Sequence, residues 1–412
     1  MSGKSDLQAD VLIVGGGLVG LPLALALGRS GLSSVVVDAQ DPDTVLEARF
    51  DGRVSAITHA SWRMLERLGI AAYLDGQCQP LCDIVVSDGR LRHGASSLFL
   101  HFDHHEIGDA PLGYMVENRH IRAALQNQLT ATPEVTLVAP VGMADIRFEA
   151  AGVVGSLLGG REVRARLCLA ADGRGSQVRA MAGIKTVGWD YRQAGIVCTV
   201  EHELPHEGVA HEYFLPPGPF AILPMTGQRS SLVWTEHERD VPALLALDEA
   251  AFAAEMSARF GDHLGVCRPV GPRWSYPLSL QLARDYVRPR AALVGDAAHV
   301  VHPLAGQGLN LGLRDVAALA EVLVDAHRLG LDIGALDVLE RYQAWRRFDT
   351  VTLAAGMDVL NRLFSNDIGP VRLARDLGLG LVNRIGPARR FFMRYARGDM
   401  GAAPRLLRGE PL

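Results

Sequence analysis

Gly15-x-Gly17-x-x-Gly20 stands between the apolar run Val11–Val14 and a stretch of helical composition from Leu18 to Arg29, closed by Gly31. A chain with this pattern has few ways to fold. The first glycine makes a tight turn, the second lets the backbone approach a pyrophosphate, and the third lets the helix lie close to the strand. The helix N-terminus then favours the negative phosphate. Val35-Val36-Val37 reads as the next buried strand and ends at Asp38, 18 residues beyond Gly20. An acid there accepts hydrogen bonds from ribose hydroxyls and disfavours a 2′-phosphate. The unit is a βαβ dinucleotide site with candidate residues Gly15, Gly17, Leu18, Val19, Gly20 and Asp38, and FAD and NAD both fit it.

The same region has a rival reading. Val11 to Gly28 runs 18 residues without a charge, the lower limit for a membrane span. Four glycines and Pro22 interrupt it, and Asp6 and Asp10 precede it where a signal peptide wants a basic flank. Strand–turn–helix fits better. The first ten residues are neither Arg-rich nor amphipathic, as a transit peptide would be. Five scattered cysteines form no disulfide framework and point to a reducing compartment. The expectation is a cytoplasmic protein. A net charge of −5 and 6% aromatic residues exclude a basic, base-stacking nucleic-acid binder.

The second half selects the cofactor. Ala291–Val294 reads as a buried strand that ends at Gly295-Asp296, and the chain continues through His302-Pro303-Leu304-Ala305-Gly306-Gln307-Gly308-Leu309-Asn310. FAD needs such a second polar site, because its flavin half extends well beyond its ADP half. Asp296 can accept from ribityl hydroxyls. The Gly306–Asn310 turn opens a helix whose N–H groups can face the isoalloxazine C2 carbonyl and stabilise negative charge on reduced flavin. Between the two sites, Arg166–Ala171 reads as a strand running into Asp172-Gly173-x-x-Ser176-x-x-Arg179. From about Gly183 to Pro277, alternating segments separated by Pro-rich turns suggest an antiparallel sheet, broken by a helix from Asp248 to Phe260. The fold class is therefore α/β: a Rossmann-like domain with an inserted, mostly antiparallel β-sheet domain and a C-terminal helical segment. No metal site is expected. His299 and His302 lack a completing carboxylate, and His101, Asp103, His104, His105 and Glu106 read as a solvated loop.

Together the glycine fingerprint, the Asp172–Arg179 motif and the Gly295–Pro303 motif resemble the group A flavoprotein aromatic hydroxylases, the family of p-hydroxybenzoate hydroxylase. Within it, four segments are most similar to the ubiquinone-biosynthesis hydroxylases. They are Asp51-Gly52-Arg53-Val54-Ser55-Ala56, Glu117-Asn118-Arg119 with Leu125, Asp296-Ala297-Ala298-His299 through Asn310, and Asn361-Arg362-Leu363-Phe364-Ser365-Asn366.

The resemblance implies FAD as cofactor and NAD(P)H as transient reductant, which fits the absence of a second glycine fingerprint. It implies FAD contacts from Arg53, Arg119, Asp172, Asp296, Gly306, Gln307, Gly308, Leu309 and Asn310, with Pro303 near the flavin. It also implies a reaction in which reduced flavin and O2 give a C4a-hydroperoxide that hydroxylates a polyprenylated phenol. The flavin carries that chemistry, so no catalytic side chain is assigned. The expected domains are 1–76, 107–183 and 283–345 for FAD, 77–106 and 184–282 for substrate, and 346–412 as C-terminal helices. Hydroxylation of another phenol, or a non-catalytic flavin-binding scaffold in a quinone-synthesis complex, are the alternatives. An apolar substrate tail calls for lipid or a lipid-carrying partner. Val371 to Arg397 carries seven Arg against Asp376, interleaved with Leu377, Ile385, Phe391 and Phe392. Such a helix either lies peripherally on the inner membrane or packs on the FAD domain.

Overall fold

The computed structural model describes residues 6–46, 52–90, 94–366, 369–399 and 401–412. Asp51 lies outside the described residues, as do the side chains of Arg372, Asp376 and Leu377.

Val11–Val14, Ser34–Val37, Leu167–Ala170 and Ala291–Leu293 are buried at every residue, as parallel strands covered on both faces must be. They belong to one sheet in the order Val287–Arg288, Ala291–Leu293, Leu167–Ala170, Val11–Val14, Ser34–Val37, Val135–Val138. All pairings are parallel except that of Val287–Arg288. The helix Gly20–Gly28 has no polar residue and is buried throughout. It packs between this sheet and the helix Gln307–Arg328, as a helix apolar on all sides requires. The charge-free N-terminal run is thus core, and no helix among the described residues is long and apolar enough to cross a membrane.

Among the described residues the inserted sheet has eight strands. Its order is His299–Val300, Cys267–Ala283, Thr186–His202, Arg229–His237, Gly218–Met225, Val209–Leu215, Asp83–Arg90, Gly94–Asp103. The last two strands come from the first half of the chain, and Asp83–Arg90 joins Val209–Leu215 in parallel. Alternation gives the sheet two faces. One, with Ile196, Tyr213, Phe220 and Trp234, packs against Phe252 and Met256 of the helix Glu249–Phe260. The other meets the first domain. There Phe214 packs with Leu304 and Leu311, and Ala210 packs with Met115 and Ala56.

The C-terminal helices Gly369–Arg384 and Gly386–Arg397 lie against the edge strand Gly94–Asp103. Arg375 pairs with Asp88 at 2.9 Å, Arg389 pairs with Glu106 at 2.8 Å, and Asn383 accepts from the edge N–H of His101 at 3.0 Å. These helices cover the open edge of the inserted sheet, and the end of Gly386–Arg397 also packs on the first domain, where Tyr395 joins Leu311 and Arg63 pairs with Asp399. An exposed edge strand needs such a cover.

Candidate functional site

The register of the parallel sheet sets Leu293, Ala170 and Val14 side by side at their carboxyl ends, with Val37 beside Val14. The turns that follow therefore emerge along one edge: Gly295-Asp296, Asp172-Gly173, Gly15–Gly20 and Asp38. At ~4.8 Å per strand, four neighbours span about 14 Å, the scale of an extended dinucleotide. Ligands of open α/β sheets bind beyond such carboxyl ends.

Gly15 has φ +102°, and a Cβ there would lie 2.3 Å from the Ala171 carbonyl oxygen. One at Gly20 would lie 1.8 Å from the Gly15 oxygen, whereas Gly17 has open space on its Cβ side. This is the division of labour expected from the sequence: two glycines for close packing and one for close approach of a ligand. The carboxylate of Asp38 accepts from Gly16 N at 2.6 Å and from Gln40 N at 2.7 Å. Those bonds fix its orientation and leave further lone pairs for hydroxyl donors. Leu18 is partly buried on the core, and Val19 packs on Gly295 and Gly312.

Asp172 accepts from Val178 N at 3.2 Å through Oδ2, while its Oδ1 is buried without a partner. A buried polar atom left so is costly unless something fills the place beside it. Arg179 donates to the Ala297 carbonyl at 2.9 Å and so ties the Asp172 turn to the Gly295-Asp296 turn. The Asp296 side chain is accessible, yet dense protein around it raises its pKa, against lowering by His299 and Arg174. Gly306 caps the helix Gln307–Arg328 in a left-handed conformation (φ +61°) with no side-chain cap. The N–H groups of that first turn have no intrahelical acceptor. Gly308 beside them is open on its Cβ side, and Leu309 is partly buried on the core.

Asn310 has a different task from a direct ligand contact by its side chain. It accepts from Thr58 N at 2.9 Å and donates to Ala56 O at 2.7 Å and Gly306 O at 3.0 Å, stapling the helix start to the strand Val54–Thr58. Arg53 and Arg119 flank the paired ends of Val54–Thr58 and Gly113–Glu117. Arg119 lies 2.7 Å from the buried Glu117, which Arg229 also approaches at 3.3 Å. Pro303 is partly buried just before the Gly306 turn.

The sequence reading missed the support beneath the Asp296 turn. Asp315 is fully buried and accepts from Gly295 N at 3.0 Å, His299 Nε2 at 2.5 Å and Arg346 Nε at 2.8 Å. Burial pulls its carboxyl upward, but His299 and Arg346 outweigh it and hold its pKa below the ordinary value. Gly312 was also missed. A Cβ there would lie 2.8 Å from Val19 Cγ2. The spacing of Gly308 and Gly312, one helical face apart, was the available signal. His299 and His302 do not converge: His302 lies fully buried beside Tyr191, both ring nitrogens unpartnered. Burial, only partly offset by Asp358, pushes its pKa down to about 4. Asp103, His104 and His105 bring ligand atoms within 4.8 Å of one another at the surface, away from this edge.

The open approach at Gly17, the orphaned Asp172 oxygen and the uncapped helix start fit a dinucleotide with a second polar half. Residues 8–347 match the FAD binding domain family. The chain is 55% identical over 415 residues to ubiquinone hydroxylase UbiL of Rhodospirillum rubrum, covering 100% of this chain and 95% of that protein. It is 38% identical over 391 residues to 3-demethoxyubiquinol 3-hydroxylase of Escherichia coli, covering 94% and 98%. Among solved structures, p-nitrophenol 4-monooxygenase PnpA of Pseudomonas putida has a TM-score of 0.78 at 20% identity, covering 95% and 98%. The chain belongs to the FAD-binding monooxygenases and, within them, to the family of ubiquinone-biosynthesis hydroxylases.

Proposed function

We propose that this chain is an NAD(P)H- and O2-dependent FAD monooxygenase that hydroxylates the aromatic ring of a polyprenylated phenol in ubiquinone biosynthesis. The observation that carries the reading is the single edge on which the Gly15, Asp172 and Asp296 turns emerge from adjacent strands. Segments 1–76, 107–183 and 283–345 form the cofactor domain, and 77–106 with 184–282 the substrate domain. Bound FAD, reduced by NAD(P)H, supplies the oxygen-activating chemistry. The protein holds and shields it. Gly17 admits the pyrophosphate, Asp38 and Asp296 accept from hydroxyls, and Asp172 turns its free oxygen toward a donor. The start of the helix Gln307–Arg328 presents N–H groups to developing negative charge. The apolar face of the inserted sheet, with Phe214 and Leu223, excludes water and orients the ring.

In a strain lacking the gene, mass spectrometry of extracted lipids is expected to show a polyprenylphenol short of one hydroxyl. An Asp296→Ala copy leaves that block in place. Restoration by Asp296→Ala would favour the scaffold reading, and unchanged ubiquinone would remove the quinone assignment.

We also assign the outer side of the C-terminal helices to the membrane surface. Arg375, Arg389 and Arg397 turn inward to Asp88, Glu106 and Asp399. Arg384, Arg390 and Arg394 stay exposed beside Leu381, Ile385, Phe391 and Phe392, a basic and apolar surface suited to anionic lipid. Truncation would strip Leu406 and Leu407 from the core, so substitution is the cleaner test. The intact chain floats with anionic phospholipid vesicles, and Phe391→Ser with Phe392→Ser floats at least several-fold less. Equal flotation would discard the membrane assignment.

A further inference from the structure

Glu212 is placed unlike any other carboxylate of the inserted sheet. It lies mid-strand in Val209–Leu215, opposite Val86 on one side and Ala221 on the other. Alternation puts it on the same face as Ala210 and Phe214. Ala210 packs with Met115 and Ala56, and Phe214 packs with Leu304 near Val301. Glu212 is therefore bracketed between two contacts with the first domain. It faces the strand Val54–Thr58 and the 301–306 loop that leads to the Gly306 turn. Val54, Ala56, Val86, Leu223 and Pro303 on this interface are, like Glu212, only partly buried, so the two faces do not close on each other there. Among the described residues, nothing pairs with its carboxylate: burial is the sole influence on it.

We propose that Glu212 receives the phenolic proton of the substrate. The O–H bond breaks, the proton passes to a carboxylate oxygen, and the electron pair stays on the ring oxygen. The phenolate so formed donates density to the ring carbon that is hydroxylated. The proton later leaves to solvent, and no further reactant is needed. This inference rests on the phenol reading above.

The electrostatics suit the task. Burial pushes the Glu212 pKa up to about 7, where a base is both available and strong enough near neutral pH. The charged groups on the packed elements are already engaged. Asp88, two residues along from Val86, pairs with Arg375 at 2.9 Å, and Glu117 is held by Arg119 at 2.7 Å and Arg229 at 3.3 Å. On the loop, His302 is kept neutral by burial, its pKa down at about 4. His211 and Tyr213, its neighbours in sequence, point to the opposite face. The apolar residues around Glu212 leave an incoming hydroxyl as its natural partner.

The test uses the FAD-loaded full chain with 2-prenylphenol as probe. In the wild type, hydroxylation rises with pH through about 7, as the carboxylate becomes available to take the proton. Glu212→Gln binds the probe as neutral phenol and hydroxylates it about 100-fold to 10,000-fold more slowly. A second readout needs no turnover. The folded pKa is raised, so the stability it confers is present below the ordinary carboxylate range and lost as pH rises through about 7. Wild-type melting temperature falls over that interval relative to Glu212→Gln. If the Gln variant fails to load FAD, Glu212→Asp withdraws the carboxylate by one methylene, and its rate falls at least tenfold with binding retained. A Gln variant with wild-type rate and pH profile overturns the proposal, as does an Asp variant with wild-type rate. A wild type that neither binds nor hydroxylates any phenol fails the phenol reading itself, and the melting series still reports whether Glu212 titrates.

Discussion

Gly20→Ala purifies without bound flavin. The new Cβ would stand 1.8 Å from the Gly15 carbonyl oxygen and 3.2 Å from Ala171 Cβ. The nearest atom is backbone, so no rotamer relieves the clash. The helix Gly20–Gly28 must withdraw from the strand Val11–Val14, and Val19 loses its fit on Gly295 and Gly312. Overpacking of a tight core costs about 1–3 kcal/mol and at times more, and a backbone clash belongs at the upper end. Two measurements check this: the ratio of flavin to protein absorbance after purification, and the denaturant midpoint. Gly17→Ala separates packing from binding. Its Cβ meets nothing within 4 Å, so the variant keeps wild-type stability without ligand and loses affinity only for FAD. A Gly20→Ala protein with full flavin and an unchanged midpoint would show that the helix does not lie so close.

Asp315→Ala has the larger effect on stability. Asp315 joins Gly295 N, His299 and Arg346, and Arg346 also reaches Asp349 at 2.5 Å. Removing one member of a buried ion pair leaves its partner charged and dry, at a cost of about 3–5 kcal/mol. The Gly295-Asp296 turn loses its anchor at the same time, so FAD binding weakens. The pH dependence has a definite sign. The Asp315 pKa is depressed, so its contribution is present above the ordinary carboxylate value and lost as pH falls through the folded value. Wild type therefore sheds stability on acidification that Asp315→Asn never had. Urea titrations from neutral to acid pH measure both effects, and a loss below ~1 kcal/mol at neutral pH would contradict the network's role.

How much the sequence disclosed depends on whether backbone or packing dictates the residue. Gly15, Gly17 and Gly20 are legible because a turn and two close approaches admit nothing larger, and Asp38 because it ends a strand at a fixed distance from them. Asp172 gains meaning only beside Asp296, a neighbourhood that sheet order creates. The Asp315 network stays hidden, since its members lie 16 and 31 positions apart and meet through helix packing. Glu212 stays hidden as well, since its place between Val86 and Ala221 is set by sheet order. The C-terminal arginines read as one basic run, yet Arg375 and Arg389 answer to the distant acids Asp88 and Glu106, and Arg397 to the nearby Asp399.

The most direct test of the central claim is oxygen transfer. FAD-loaded protein, NAD(P)H and a prenylated phenol are incubated under isotopically labelled dioxygen, and the product is weighed by mass spectrometry. One labelled oxygen on the aromatic ring is expected, with NAD(P)H consumption that rises when the phenol is added. Labelled hydrogen peroxide with an unmodified phenol, or ring oxygen drawn from water, would contradict the claim.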